Sequence, residues 1–301
     1  MAWPNNVKFM AEAPLTSAAA GNNICRHMTV KCSAHIEEMS PENPIGVFDS
    51  GVGGLSVLRE IRRLLPHEDL IYVADSAHVP YGEKSKGFIE ARAIAITGFF
   101  INQGAKAIVV ACNTATSAAV ETLRTRFDLP IIAMEPAIKP ATEQSRSRIV
   151  GVLATSGTLG GERFANLRAR HGNGVEIVVQ PCPGWVEHVE SGDLDSVETE
   201  ALVRRYVTPL LEKGADTLVL GCTHYPFLRE LIQRIAGAEI TLIDPSPAVA
   251  RELLRRLQQQ QLLNPQSEAG NERFWTSGDP AKVTATLSLL WNSAVVVSPL
   301  P

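Results

Sequence analysis

From Ile45 onward, short apolar runs rich in β-branched residues alternate with longer segments whose apolar positions recur every three to four residues. The first pattern is that of buried strands, the second that of helices with one face turned inward. Strands are expected at 45–48 (IGVF), 70–74 (LIYVA), 106–111 (KAIVVA), 130–133 (PIIA), 148–154 (RIVGVLA), 175–179 (VEIVV), 216–220 (DTLVL) and 239–243 (EITLI). Helical spacing fills most of the gaps, notably 53–64, 86–102, 115–126, 197–212 and 246–260. QQQQLLNPQSEAGNE (258–272) reads as a loop, RFWTS after it as a late strand, 280–290 as a helix and 294–297 as a final strand. Such alternation predicts an α/β fold with mostly parallel sheets.

The pattern repeats. GAKAIVVACNT (104–114) and GADTLVLGCTH (214–224) align without a gap, placing Cys112 on Cys222 at an offset of 110 residues. IGVFDSG (45–51) resembles VGVLATSG (150–157), and PIIAMEP (130–136) resembles ITLIDPS (240–246), at about the same separation. Two related, pseudo-symmetric βα lobes are therefore expected, 44–138 plus 246–301 and 139–245, with an active-site cleft between them. The competing explanation is that buried parallel strands all look alike. Residues 1–43 mix Ala, Asn, Ser, Pro and Glu without a period and are expected to form a poorly ordered extension, which leaves Cys25 and Cys32 as bystanders.

Composition narrows the partners. With 28 Lys and Arg against 32 Asp and Glu, the net charge of −4 offers no excess of cations for a nucleic-acid backbone. The charged clusters REIRR (59–63) and RELLRR (251–256) have the spacing of solvated helix faces. No run approaches the length of a membrane span or a signal peptide, and five cysteines without a CxxC pair suit a reducing cytoplasm better than a disulfide scaffold or a zinc knuckle. No metal site is expected.

Ligands of open α/β sheets bind at the carboxyl ends of the strands. Four polar clusters fall there: Asp49-Ser50-Gly51, Cys112-Asn113-Thr114, Thr155-Ser156-Gly157-Thr158 and Cys222-Thr223-His224, with Pro80-Tyr81-Gly82 in a nearby loop. A thiol just before a helix has its pKa lowered by the helix dipole, and an imidazole two residues on favours the thiolate further. A lone cysteine is usually a small buried hydrophobe. Two at matching strand ends, each beside a hydroxyl and an amide or imidazole, argue for acid–base chemistry. Asp49 stands between an N-cap and a catalytic or binding part. DSGVGG (49–54) lacks the Lys-Ser/Thr of a phosphate loop and the spacing of GxGxxG. Glu187, His188 and Glu190 read as surface residues of a helix, with Glu190 a lesser candidate for the cleft.

Four segments, DSGVGGLSVL (49–58), PYGEKS (80–85), ACNTAT (111–116) and LGCTHYP (220–226), resemble the signature segments of bacterial glutamate racemase, in order and in approximate spacing, over residues 45 to about 250. The resemblance implies two α/β domains related by a pseudo-twofold axis and a cofactor-independent interconversion of L- and D-glutamate for peptidoglycan synthesis. By motif match Cys112 and Cys222 would be the two acid/base residues, with Asp49 assisting the first and His224 the second. Asp49, Ser50, Tyr81, Gly82, Asn113, Thr114, Thr223 and His224 would hold the substrate, and Glu190 would correspond to a carboxylate near the second cysteine. Cys112 would deprotonate D-glutamate and Cys222 L-glutamate. The N-terminal extension resembles those of racemases from Gram-negative bacteria, some of them activated by UDP-N-acetylmuramoyl-L-alanine. Three alternatives stay open: an aspartate or other amino-acid racemase, a Cys-His hydrolase or transferase using Cys222 and His224, and a binding module that closes on an anion without chemistry.

Overall fold

The computed structural model describes residues 39–172 and 174–301, so the expectations for residues 1–38, Cys25 and Cys32 included, lie outside the described residues. In chain order the first elements are β1 (Ile45–Asp49), α1 (Leu55–Leu64), β2 (Leu70–Ala74), α2 (Lys86–Asn102), β3 (Ala107–Val110), α3 (Asn113–Arg126), β4 (Ile131–Ala133) and α4 (Ile138–Gln144). Then follow β5 (Ile149–Ala154), α5 (Ser156–Leu159), α6 (Glu162–His171), β6 (Glu176–Pro181), α7 (Trp185–Glu190), α8 (Val197–Glu212), β7 (Thr217–Leu220), α9 (Arg229–Ala236) and β8 (Thr241–Ile243). The chain closes with α10 (Ser246–Gln259), β9 (Glu272–Thr276), α11 (Pro280–Trp291) and β10 (Val297–Pro299).

The strands form two sheets, one ordered β10-β9-β2-β1-β3-β4 and the other β6-β5-β7-β8, with every pairing parallel. The runs β2-β1-β3-β4 and β6-β5-β7-β8 follow the same order, so the repeat read in the sequence is also a repeat of topology. Burial follows the period of two that strand geometry imposes. In the larger sheet, Val47, Tyr72 and Val109 join one core, while Phe48, Val73 and Val110 join another on the opposite face. In the smaller sheet, Leu153, Leu218 and Leu220 extend the first core, while Val150, Val152 and Val219 build a separate one beneath α4 and α6. The first core is thus continuous through both sheets.

Local chemistry starts the helices where they are needed. Ser85, Ser196 and Asp279 cap α2, α8 and α11 by accepting a backbone N–H from Phe88, Thr199 and Ala281. The last strand departs from expectation: the apolar run 294–297 suggested a strand there, but pairing begins at Val297, opposite Phe274, and runs to Pro299. Val296 is 86% exposed, so the run lies mostly outside the ladder. At the opposite end of the strands from the cysteines, Lys106 is fully buried, and its Nζ meets Glu68 Oε2 at 2.5 Å and also donates to the carbonyl of Pro41. No helix among the described residues is long and apolar enough to cross a membrane.

Candidate active site

Each cysteine follows its strand by two residues, and the peptide before each is tied to the neighbouring strand in the same way. Ala111 N–H donates to Phe48 O at 2.9 Å, and Gly221 N–H donates to Leu153 O at 2.7 Å. Both thiols are buried, at 5% and 6% exposure.

The two turns then diverge. Cys112 caps α3, its sulfur accepting from Ala115 N–H at 3.4 Å. Cys222 leads into a 3-10 turn at Tyr225–Leu228, and α9 begins only at Arg229, which corrects the expectation of a helix directly after it. The pKa expectation is also corrected at Cys112. Burial, and then the negative charge of Asp49, push its thiol well above the ordinary value; the Ala115 N–H and the Ser50 hydroxyl pull the other way and lose.

The β1 turn joins both cysteine turns. Cys112 Sγ donates to Ser50 Oγ at 3.7 Å, and Thr223 Oγ1 donates to Asp49 Oδ1 at 3.2 Å. Asp49 is fully buried and also accepts from Gly51 N–H at 3.4 Å and Gly54 N–H at 3.0 Å, so it both fastens its own turn and reaches across to the second cysteine's segment. Burial raises its pKa, as does Glu190, against the lowering effects of His224 and the two amides.

His224 stands between Cys222 and a carboxylate. Its Nδ1 lies 3.6 Å from Cys222 Sγ and its Nε2 lies 2.6 Å from Glu190 Oε1. Burial alone would lower the imidazole's pKa, but Cys222 and Glu190 outweigh it and hold His224 well above its ordinary value. Glu190 Oε1 also accepts from Val52 N–H at 2.7 Å. Glu190, read from the sequence as a surface residue and lesser candidate, is therefore a central part of the site. The glycines of DSGVGG are explained by these approaches rather than by phosphate binding. A Cβ on Gly51 would lie 1.8 Å from Glu190 Oε1, and one on Gly53 would lie 2.3 Å from His224 Nδ1.

A second cluster sits on the first turn of α3. The hydroxyls of Thr114, Thr155 and Thr158 form a triangle with sides of 2.9, 3.2 and 3.0 Å. The Tyr81–Gly82 turn closes against it, since a Cβ on Gly82 would meet Thr155 Cβ at 3.3 Å. Tyr81 itself is buried and its hydroxyl donates to Asp75 Oδ2 at 2.5 Å, so its proton is committed to that carboxylate. Asp75 further accepts from Arg92 Nη2 at 2.7 Å and Nε at 3.0 Å. Asn113 is buried with both amide atoms unpartnered among the described residues, an arrangement that costs free energy unless a ligand or water supplies the bonds.

All ten residues expected from the sequence thus fall in these two linked clusters. Asp75 and Arg92 were not anticipated, and Thr155 and Thr158 were noted only as a strand-end cluster. No group of three or more His, Cys, Asp or Glu side chains among the described residues has the disposition of a metal site.

Known proteins share this architecture. Residues 45–253 match the model of the Asp/Glu/hydantoin racemase family. A glutamate racemase of Methylococcus capsulatus is 57% identical over 261 residues, covering 86% of this chain and 96% of that protein. Among solved structures, a glutamate racemase isoform from Bacillus anthracis superposes with a TM-score of 0.80 at 30% identity, covering 87% of this chain and 98% of the other. The Escherichia coli glutamate racemase, solved with L-glutamate and the activator UDP-MurNAc-Ala, superposes with a TM-score of 0.73 at 33% identity, covering 85% and 97%. The chain belongs to the Asp/Glu/hydantoin racemase family and, within it, to the glutamate racemases.

Proposed function

We propose that this chain interconverts L- and D-glutamate by a two-base proton transfer between Cys112 and Cys222. One observation carries the reading: a single turn, Asp49-Ser50, is hydrogen-bonded to Cys112 on one side and to Thr223, next to Cys222, on the other. Two thiols flanking one turn in this way suit a transfer across a single α-carbon. With L-glutamate bound, the Cys222 thiolate takes the α-hydrogen as a proton. The C–H electron pair stays on the substrate as a planar carbanion delocalised into the α-carboxylate, and the Cys112 thiol returns a proton to the opposite face. D-glutamate runs the same steps in reverse with the thiols exchanged.

The surrounding groups suit these demands. The His224 imidazolium stabilises the Cys222 thiolate, and Glu190 holds the imidazolium in place. On the other side the high proton affinity of Cys112 makes it a strong base once a ligand has displaced the site's own contacts, with Asp49 nearby to favour proton uptake. Fixed donors must stabilise the carbanion, and one well-placed donor contributes about 3 kcal/mol at such a site. Ser50, Asn113 and Thr223 would supply such donors at the reacting end. The hydroxyls of Thr114, Thr155 and Thr158, with the Tyr81–Gly82 turn, suit the distal carboxylate.

On this reading the residues divide into two lobes, 44–138 plus 246–301 and 139–245, that part to admit substrate. The product D-glutamate serves peptidoglycan synthesis in the cytoplasm, and UDP-N-acetylmuramoyl-L-alanine, of the kind seen with the Escherichia coli relative, activates turnover. The test is chiral chromatography of L-glutamate incubated with the pyridoxal-free protein in D₂O. D-glutamate labelled at the α-carbon is expected, with turnover reduced at least about 10²-fold in C112A and in C222A. A folded wild-type chain that yields no D-glutamate overturns the proposal, and equal turnover with and without the nucleotide overturns the activation.

A further inference from the structure

Tyr72 has no part in the scheme above, although its hydroxyl lies directly beneath the site. It is fully buried in β2 and donates to Gly51 O at 2.7 Å. The next N–H along the chain, that of Val52, donates to Glu190 Oε1 at 2.7 Å. The carbonyl and the N–H belong to one peptide unit, the amide joining Gly51 to Val52. A donor on an amide's oxygen polarises its N–H, so hydrogen bonds at the two ends of one peptide strengthen each other. Beyond Glu190 the chain of contacts runs to His224 Nε2 at 2.6 Å and from Nδ1 to Cys222 Sγ at 3.6 Å.

We propose that Tyr72 is a positioning residue for the Cys222 half of the reaction: its hydroxyl orients and polarises the Gly51–Val52 amide, which holds Glu190 against His224 and thereby His224 against Cys222. The inference rests on the racemase reading and adds a residue to it. The amide has little freedom to find another arrangement, because Gly51 is pressed against Glu190 so closely that even a Cβ would collide. The hydroxyl is equally confined, with a Cβ on Gly54 lying only 2.9 Å from it. The ring's packing against Phe274, at a centroid distance of 6.2 Å, does not involve the oxygen, so Tyr72→Phe removes the hydrogen bond and keeps the packing.

The two enantiomers of glutamate have equal free energy, so kcat/KM for unlabelled substrate must stay equal in both directions in any variant. A defect confined to one thiol appears instead in the isotope effect. In Y72F, kcat is expected to fall about tenfold. The effect of α-deuteration on kcat/KM should rise for L-glutamate, whose hydrogen goes to Cys222, and shrink for D-glutamate. In an E190Q background, Y72F should add no more than about a twofold loss, because its effect passes through Glu190. Several results overturn the proposal: a Y72F rate within about twofold of wild type, isotope effects that change alike in both directions, losses that add fully in the E190Q background, or a Y72F chain without a native melting transition. If the wild-type chain does not turn over glutamate, the racemase reading fails separately. Iodoacetamide labelling counted by mass spectrometry still tests the relay. Y72F should slow labelling of Cys222 several-fold relative to Cys112, and an unchanged ratio refutes it.

Discussion

Gly53→Ala adds one methyl group at a point where the structure gives a specific answer. Gly53 has no left-handed backbone angle, so alanine brings no conformational strain there. Its Cβ would meet the His224 ring, at 2.3 Å from Nδ1 and 2.6 Å from both Cε1 and Cγ. Ordinary van der Waals contact begins near 3.4 Å, so the ring or the turn must move by about 1 Å. The ring is held at its far nitrogen by Glu190 at 2.6 Å, and the atom struck is the one that faces Cys222. A displacement of that size in a reacting constellation costs about 10²-fold in rate, and overpacking a filled interior costs about 1–3 kcal/mol in stability. Circular dichroism of glutamate racemisation measures the first and a thermal melt the second. Gly98→Ala in α2 is the control, since nothing lies within 4 Å of its Cβ. It should leave the rate unchanged and stabilise the chain by about 0.5–1 kcal/mol. A G53A protein with wild-type kcat/KM and an unaltered melting point would refute the placement of His224 on which the Cys222 half of the mechanism depends.

Further outcomes follow from buried charges. Burial raises the pKa of Asp75, but its bonds to Arg92, Ser277 and Tyr81 outweigh that and depress it. Its stabilisation is therefore present above the unfolded value of 3.8 and lost as pH falls through the lower folded value. Asp75→Asn should cost about 1–3 kcal/mol at neutral pH and flatten the acid limb of a stability-against-pH curve obtained by urea denaturation. His224 has the opposite sign: its folded pKa is raised, so its contribution is complete below 6.5 and is lost as pH rises through the folded value. Glu190→Gln should thus destabilise the protein by about 1–3 kcal/mol near pH 6 and progressively less at higher pH, again read by denaturation. Lys106→Met leaves Glu68 buried without its cation and should cost about 3–5 kcal/mol, measured by denaturant midpoint, with little change in KM.

Much of this was legible in the sequence because it is local. β2, α2 and α8 fall at the residues that apolar periodicity indicates, and the repeat around Cys112 and Cys222 reappears as matching strand orders. What escaped is non-local. Glu190 lies 34 residues before His224 and 138 after Val52, and no periodicity along α7 distinguishes it from Glu187. Asp75 meets Arg92 across 17 residues, after a strand whose pattern says only that it is buried. The shift of the last strand has the same origin, since pairing with β9 rather than hydrophobicity decides which of three successive valines enters the ladder. The pKa of Cys112 was misjudged because a helix N-terminus can be read from sequence, whereas full burial beside Asp49 cannot.

The matched ties of Ala111 to Phe48 and Gly221 to Leu153 fix each sulfur to the main chain of a different sheet. The gap between the sulfurs then depends on how the two sheets are inclined to one another as well as on the two cysteine rotamers. A compound wedged far from either thiol, tilting one sheet slightly, would silence both directions of turnover together, whatever the handedness of the amino acid supplied.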